Sequence, residues 1–204
     1  MARTAGAARS SAGAVSARSI GARLLSLDDR LLTLARTRGH TPAAERAMAR
    51  FSQLGEHGAV WLAIGAAGQL LDPGRRRRWR AAMTAVGGAY VLNTALKPLA
   101  GRRRPELEGL PPLTSTPTQL SFPSAHATTS FAGALVYSRL GLPAAPLYAL
   151  AVALSFSRVY LGVHHPGDVL AGALLGTAVG GLASRGSAAS AGPGEPGTGG
   201  VRAG

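Results

Sequence analysis

"SRVYLGVHHPGD", Ser157 to Asp168, puts an arginine, two adjacent histidines and an aspartate between two apolar runs, "APLYALAVALSF" (145–156) and "VLAGALLGTAVGG" (169–181). Ionisable groups at the junction of two apolar helices cost several kcal/mol each unless they are paired or put to use. His164 and Asp168 are four apart, with the turn-forming pair Pro166-Gly167 between them. That spacing sets Asp168 in the first turn of the second helix, where its carboxylate can accept a hydrogen bond from His164 Nδ1. The bond would fix the tautomer, leave Nε2 free as a nucleophile and stabilise positive charge on the ring.

Working outward, five apolar segments are expected at about 58–71, 80–96, 127–141, 143–157 and 167–183. Each lies near or just under the roughly 17–25 residues that span a bilayer. Their Gly and Ala content suits close helix packing. Residues 20–37, "IGARLLSLDDRLLTLART", carry leucines at near-helical spacing with charges between them. They form an amphipathic helix, too charged to span, lying on a membrane surface or packed on the bundle. Residues 43–54 form a second short helix. Trp61 and Trp79 fall near segment ends, as an interfacial belt would place them. The fold expected is all-α, a membrane-embedded antiparallel bundle of five to six helices over residues 20–183. A basic arm precedes it (1–19) and a Gly/Ser/Pro-rich flexible tail follows (184–204).

Net charge is +13 and nearly all the cations are arginine. Basic loops flanking membrane helices explain this better than nucleic-acid binding, since aromatics are 5% and no nucleic-acid motif is present. "RRRRWR" at 75–80 reads as such a loop. The chain has no cysteine, which excludes disulfides, thiolate nucleophiles and Cys-ligated zinc. No carboxylate cluster suits a magnesium site, so neither metal nor cofactor is expected.

Polar residues break the apolar pattern in three places: Lys97–Pro105 ("KPLAGRRRP"), Phe122–Thr129 ("FPSAHATT") and the opening stretch. Short loops make successive helices antiparallel. The end of the second segment, the start of the third, the end of the fourth and the start of the fifth then share one face. Lys97, Arg104 and Arg158, with Arg102 and Arg103 unassigned, would meet there with few acids, and such a nest calls for an anion. The planar fork of arginine suits phosphate oxygens. "PSAH" opens a helix whose free N–H groups favour an anion further. His126, from a different helix end, could protonate a departing oxygen. His165 reads as a spacer, and His40 and His57 lie outside the cluster.

These residues resemble the three-part signature of the type 2 phosphatidic acid phosphatase (PAP2) superfamily, K-x6-RP, PSGH and SR-x5-H-x3-D. Here it stands as Lys97 with Arg104-Pro105, then Pro123-Ser124-Ala125-His126, then Ser157-Arg158, His164 and Asp168. The likeness covers about residues 55–183, and the wording around 51–68 and 116–134 looks like the small actinobacterial members. Ala125 stands where the family has Gly. The resemblance implies a metal-free phosphohistidine mechanism: His164 attacks phosphorus, Asp168 orients it, His126 protonates the leaving group, and Lys97, Arg104, Ser124 and Arg158 hold the phosphoryl oxygens. It also implies a multi-pass bacterial membrane enzyme acting on a lipid-linked (polyprenyl) phosphate or pyrophosphate. A vanadium haloperoxidase-like enzyme and a non-catalytic membrane protein binding anionic lipid remain the alternatives.

Overall fold

The computed structural model describes residues 22–23 and 25–189. The basic arm and all but the first residues of the expected tail lie outside this range. Seven helices are described: α1 (25–37), α2 (Pro42–Gln53), α3 (Ala59–Leu71), α4 (Arg76–Ala100), α5 (Ala125–Ser138), α6 (Ala144–Tyr160) and α7 (Pro166–Ala189). The expected segments all appear as helices. The last continues to Ala189, past the expected end at 183, and α4 extends at both ends to twenty-five residues.

The packing is organised around α5. It lies against α7, α6 and α4, while α3 packs on α4 and α2 on α6. Contact between α5 and α7 is backbone-close because α7 carries glycine every fourth residue on that side. A Cβ on Gly172 would sit 2.5 Å from the Ser124 carbonyl oxygen, one on Gly176 2.2 Å from that of Thr128, and one on Gly180 3.1 Å from that of Ala132. Only small residues permit this approach, which suits association where apolar burial contributes little.

Trp61 and Trp79 are not an interfacial belt: both are buried in the core, at 0% and 4% exposure. Trp61 faces Gly133 and Trp79 faces Gly68, each glycine making room for an indole. Tyr137 stacks with both rings and donates its hydroxyl to the Trp61 carbonyl at 2.8 Å. Trp61 Nε1 donates to Ser130 Oγ at 3.0 Å. Proximity to a segment end does not separate a belt tryptophan from one whose partner glycine lies on the next helix.

The amphipathic first helix is turned in an unusual sense. Asp28, Leu32 and Arg36, spaced by four, are buried against the protein, while Leu25, Leu27, Leu31 and Leu34 point away from it. Exposed Val91, Val152, Phe156, Leu170 and Leu174 continue this apolar exterior around α4, α6 and α7. Among the described residues one stretch, Pro166–Arg185, is long and apolar enough by itself to cross a bilayer. The arginine-rich stretch 75–80, expected as a loop, instead forms the start of α4 from Arg76 onward, at the end of the bundle remote from the motifs. There Arg75 Nη1 donates to the Leu140 carbonyl and Arg76 Nε to that of Gln69.

The α5–α7 contact yields a prediction. Gly176→Ala is expected to destabilise the protein by about 1–3 kcal/mol through overpacking. Gly88→Ala, where nothing lies within 4 Å of the added carbon, is expected to be neutral or stabilising by up to about 1 kcal/mol. Thermal unfolding in detergent checks both, and equal effects would show that the two helices can separate freely.

Candidate active site

The three polar islands converge where α4 ends, α5 and α7 begin and α6 ends. α4 carries Lys97 in its last turn and stops at Gly101, whose N–H donates to the Lys97 carbonyl at 3.0 Å. Lys97 Nζ reaches the strap that leads into α5. It donates to the Pro123 carbonyl at 3.0 Å and lies 3.4 and 3.5 Å from those of Leu120 and Ser121. Asn93, one turn earlier, donates to the Pro123 carbonyl and to Thr128 Oγ1. The strap is therefore held from α4, and it delivers Ser124 to the start of α5.

A serine at this position normally caps its own helix. Here the Ser124 hydroxyl is buried and unpartnered, and no side-chain cap forms. The Ser124 N–H is taken by the Asp168 carbonyl at 3.0 Å, which locks the starts of α5 and α7 together. Arg158 is buried at the end of α6. Its Nη1 donates to Ser52 Oγ at 2.7 Å, and its Nε has no partner. After Tyr160 the chain turns back through Gly162, at φ 73°, so that the Val163 and His164 N–H groups both face the Arg158 carbonyl. This left-handed residue, easy only for glycine, aims His164 inward.

His164 Nδ1 faces Asp168 Oδ2 at 3.4 Å, an ion-pair distance at which Nδ1 is not aligned for a hydrogen bond in this resting arrangement. Its Nε2 lies 3.3 Å from Arg104 Nη1. A guanidinium can only donate, so Nε2 carries the lone pair and Nδ1 the proton, and both contacts require the same tautomer. Burial, reinforced by Arg104 and Arg158, pushes the His164 ring down to about 3, against the pull of Asp168. The ring is therefore neutral and nucleophilic at neutral pH. Arg104 is held by the Thr118 carbonyl through Nε and the Val163 carbonyl through Nη1, both at 2.7 Å. Burial lowers its pKa too, with Asp168 and Glu56 opposing, although an arginine remains charged.

His126, in the first turn of α5, is buried and donates Nε2–H to the Ser52 carbonyl at 3.0 Å. All seven motif residues thus meet at one end of the bundle. Two buried donors without partners, Ser124 Oγ and Arg158 Nε, together with Arg104 and Lys97, make a set suited to a tetrahedral oxyanion.

Several neighbours were not legible in the motifs. Ser52, at the end of α2, joins Arg158 through its hydroxyl to His126 through its carbonyl. Glu56 Oε2 stands 3.9 Å from His126 Nε2. Arg102 spans Asp28 and Asp168. His165 is more than a spacer: its N–H donates to Asp168 Oδ2 at 2.9 Å, and its ring lies between Asp168 and Asp29. His40 does lie outside, stacked on Tyr160, and Arg103 is exposed. A serine one residue before the end of α2 gives no pattern in sequence, whereas the acid in "LGEHG" was a visible charge beside the first apolar segment.

Residues 78–190 match the sequence model of the PAP2 superfamily. Over 132 residues, 64% of this chain and 73% of the relative, the sequence is 40% identical to decaprenylphosphoryl-5-phosphoribose phosphatase of Mycobacterium tuberculosis. Among solved structures, LpxE from Aquifex aeolicus superposes with a TM-score of 0.66 at 27% identity, covering 78% of this chain and 95% of that one. A transmembrane PAP2 type phosphatidylglycerolphosphate phosphatase from Bacillus subtilis shares the fold, with a TM-score of 0.69 at 24% identity, over 82% of this chain and 87% of that one.

Two measurements check this geometry. Ring nitrogen shifts of His164 should stay at neutral-imidazole positions between about pH 7.5 and about pH 5, whereas an unperturbed ring would titrate near 6.5. A midpoint there would mean that water reaches the ring. Ser52→Ala should cost about 1–3 kcal/mol of stability by stranding the buried Arg158 guanidinium, and Ser52→Thr should retain most of it. Unchanged unfolding of the alanine variant would show that Arg158 finds another partner.

Proposed function

This chain belongs to the PAP2 superfamily, and from that premise we infer that it is a phosphatase that hydrolyses a polyprenyl-linked phosphate ester through a phosphohistidine at His164. The observation that carries the reading is the placement of the His164 ring, with Nε2 3.3 Å from Arg104 Nη1 on one side and Nδ1 against the buried Asp168 carboxylate on the other.

In the first step His164 Nε2 attacks phosphorus, the P–O bond to the alcohol breaks, and the N–P bond forms. Asp168 takes up the growing positive charge through Nδ1–H. Arg104, already at the edge of Nε2, meets a phosphoryl oxygen, and Lys97, Arg158 and Ser124 hold the others. Charge that develops on these oxygens finds donors already in place. The leaving alkoxide takes its proton from His126 in its doubly protonated form, which is left neutral; in the resting site Nε2–H points at the Ser52 carbonyl and Glu56 stands 3.9 Å away. Water then attacks phosphorus, gives its proton back to His126 and releases phosphate, restoring His164. Ala125 keeps the backbone N–H that glycine would offer, so the step does not depend on glycine there.

The lipid part of the substrate is supported by the exterior. Leucines of α1 point away from the protein, and an apolar groove of about 680 Å³, lined by Leu31, Leu34, Phe156, Val159 and Leu170 among others, runs between α1, α6 and α7. The mycobacterial relatives, at 40% identity, are named for a decaprenyl-linked sugar phosphate. Multi-pass embedding is part of this reading. At 1.5 Å per residue, the 20 residues Pro166–Arg185 of α7 match the roughly 30 Å hydrocarbon core, while the apolar part of α4 between its arginines and Lys97 falls somewhat short of it.

Phosphate release from a polyprenyl-linked phosphate in detergent should fall to background in His164→Ala. It should drop by about 10²–10⁴ in His126→Ala, the usual contribution of a general acid. Full activity in His164→Ala would end the phosphohistidine reading. Topology has a separate check, because the chain has no native cysteine. Gly74→Cys and Glu108→Cys, at opposite ends of the bundle, should react with an impermeant maleimide from opposite sides of a membrane vesicle. Labelling from one side would exclude the embedded arrangement.

A further inference from the structure

Arg102 lies outside the PAP2 signature, but both Nη atoms of its guanidinium are engaged one step behind the nucleophile. Nη1 donates to Asp168 Oδ1 at 2.9 Å and Nη2 to Asp28 Oδ2 at 2.7 Å. The two Asp168 oxygens are divided: Oδ2 serves His164 and the His165 N–H, and Oδ1 is held by Arg102. Asp28 takes a second hold on the same corner, since its Oδ1 accepts the Gly167 N–H at 2.6 Å. That peptide immediately precedes Asp168. A Cβ on Gly167 would come within 2.8 Å of the Asp28 carboxylate, so the glycine permits α1 to approach.

We propose that Arg102, clamped by Asp28 of α1, is a positioning residue that fixes the Asp168 carboxylate and through it the His164 ring. The proposal rests on the reading of His164 as nucleophile and Asp168 as its orienting acid. Without Arg102, Oδ1 would lose this charged partner and be left to water entering where the guanidinium stood, and the carboxylate would be free to turn about its last bond toward Lys97 or Arg104. Each turn of that kind withdraws Oδ2 from His164 Nδ1, whose contact is already long. α1 then belongs to the catalytic apparatus, although none of its residues touches substrate. This also explains its inverted faces: the buried Asp28 is what the helix delivers, and the leucines outside are what lipid would cover.

A salt bridge with only a structural role would reduce the folded fraction and leave the turnover of folded molecules intact. The test therefore uses the full chain in detergent, with turnover counted per vanadate-titrated site. Variants are Arg102→Gln, Arg102→Lys, Asp28→Asn and the Arg102→Gln/Asp28→Asn pair, beside His164→Ala. Arg102→Gln should lower kcat roughly 10- to 100-fold, the scale of a misplaced reacting group. Its KM and the inhibition constant for inorganic phosphate should stay within about twofold, because those report ground-state binding. Arg102→Lys should recover part of kcat. Asp28→Asn should lose less than Arg102→Gln, and the pair should be little worse than Arg102→Gln, since coupled residues are not additive. If Arg102→Gln fails to fold, Arg102→Lys and Asp28→Asn carry the same kcat-against-KM comparison. Wild-type kcat in these variants, or a rise in KM at constant kcat, overturns the positioning role while an inactive His164→Ala leaves the phosphohistidine reading standing. Activity in His164→Ala would remove that reading itself.

Discussion

A single carboxylate with no solvent exposure, Asp168, is the constraint on which the rest of the structure depends. An isolated buried charge is not tolerated, so the chain must bring donors to it from every side. The His164 ring, the His165 N–H and the Arg102 guanidinium do so, and each comes with a segment attached. His164 and His165 bring the turn after α6, Arg102 brings the loop after α4, and Asp28 brings α1. The backbone carbonyl of the same residue accepts from Ser124 and brings α5. One acid thus gathers elements drawn from across the sequence.

The cations around it follow a different rule. The direct partners of Lys97, Arg104 and Arg158 are carbonyls of the strap, of Thr118 and Val163, the Ser52 hydroxyl and the His164 ring, with no carboxylate among them. Neutral partners hold a guanidinium in place without cancelling its charge. The site keeps its positive field for an anion while its geometry is already set, which is the condition for electrostatic preorganisation.

How much of this was legible in the sequence depends on the kind of signal. Helix existence and the convergence of tips followed from apolar runs, short connections and the spacing of Lys97, Arg104, His126, Arg158, His164 and Asp168. Those are patterns within single segments or fixed offsets between them. Trp61 and Trp79 misled because their place is decided by Gly133 and Gly68 on partner helices, a pairing that no local window contains. Ser52 was missed, and Arg102 was left unassigned, for the same reason: each acts on a residue more than sixty positions away. For α1 the period was right, but the inward stripe is Asp28, Leu32 and Arg36, because Asp28 pairs with Arg102 and the Gly167 N–H on the bundle, and that partnership is not visible within the helix itself.

The stepped glycines of α7 have one more implication. Gly172, Gly176 and Gly180 repeat every four residues, and so do the carbonyls of Ser124, Thr128 and Ala132 that they meet. A ladder with identical rungs would fit nearly as well one rung up or down, about 6 Å along the axis at four residues. Shape complementarity alone therefore leaves the sliding of these two rods degenerate. What removes the degeneracy is the Ser124–Asp168 hydrogen bond at the top, which exists in one alignment only. The index mark for assembly is thus a main-chain contact at the tip of the bundle, which a side-chain substitution at either residue leaves in place even where it removes a group of the site.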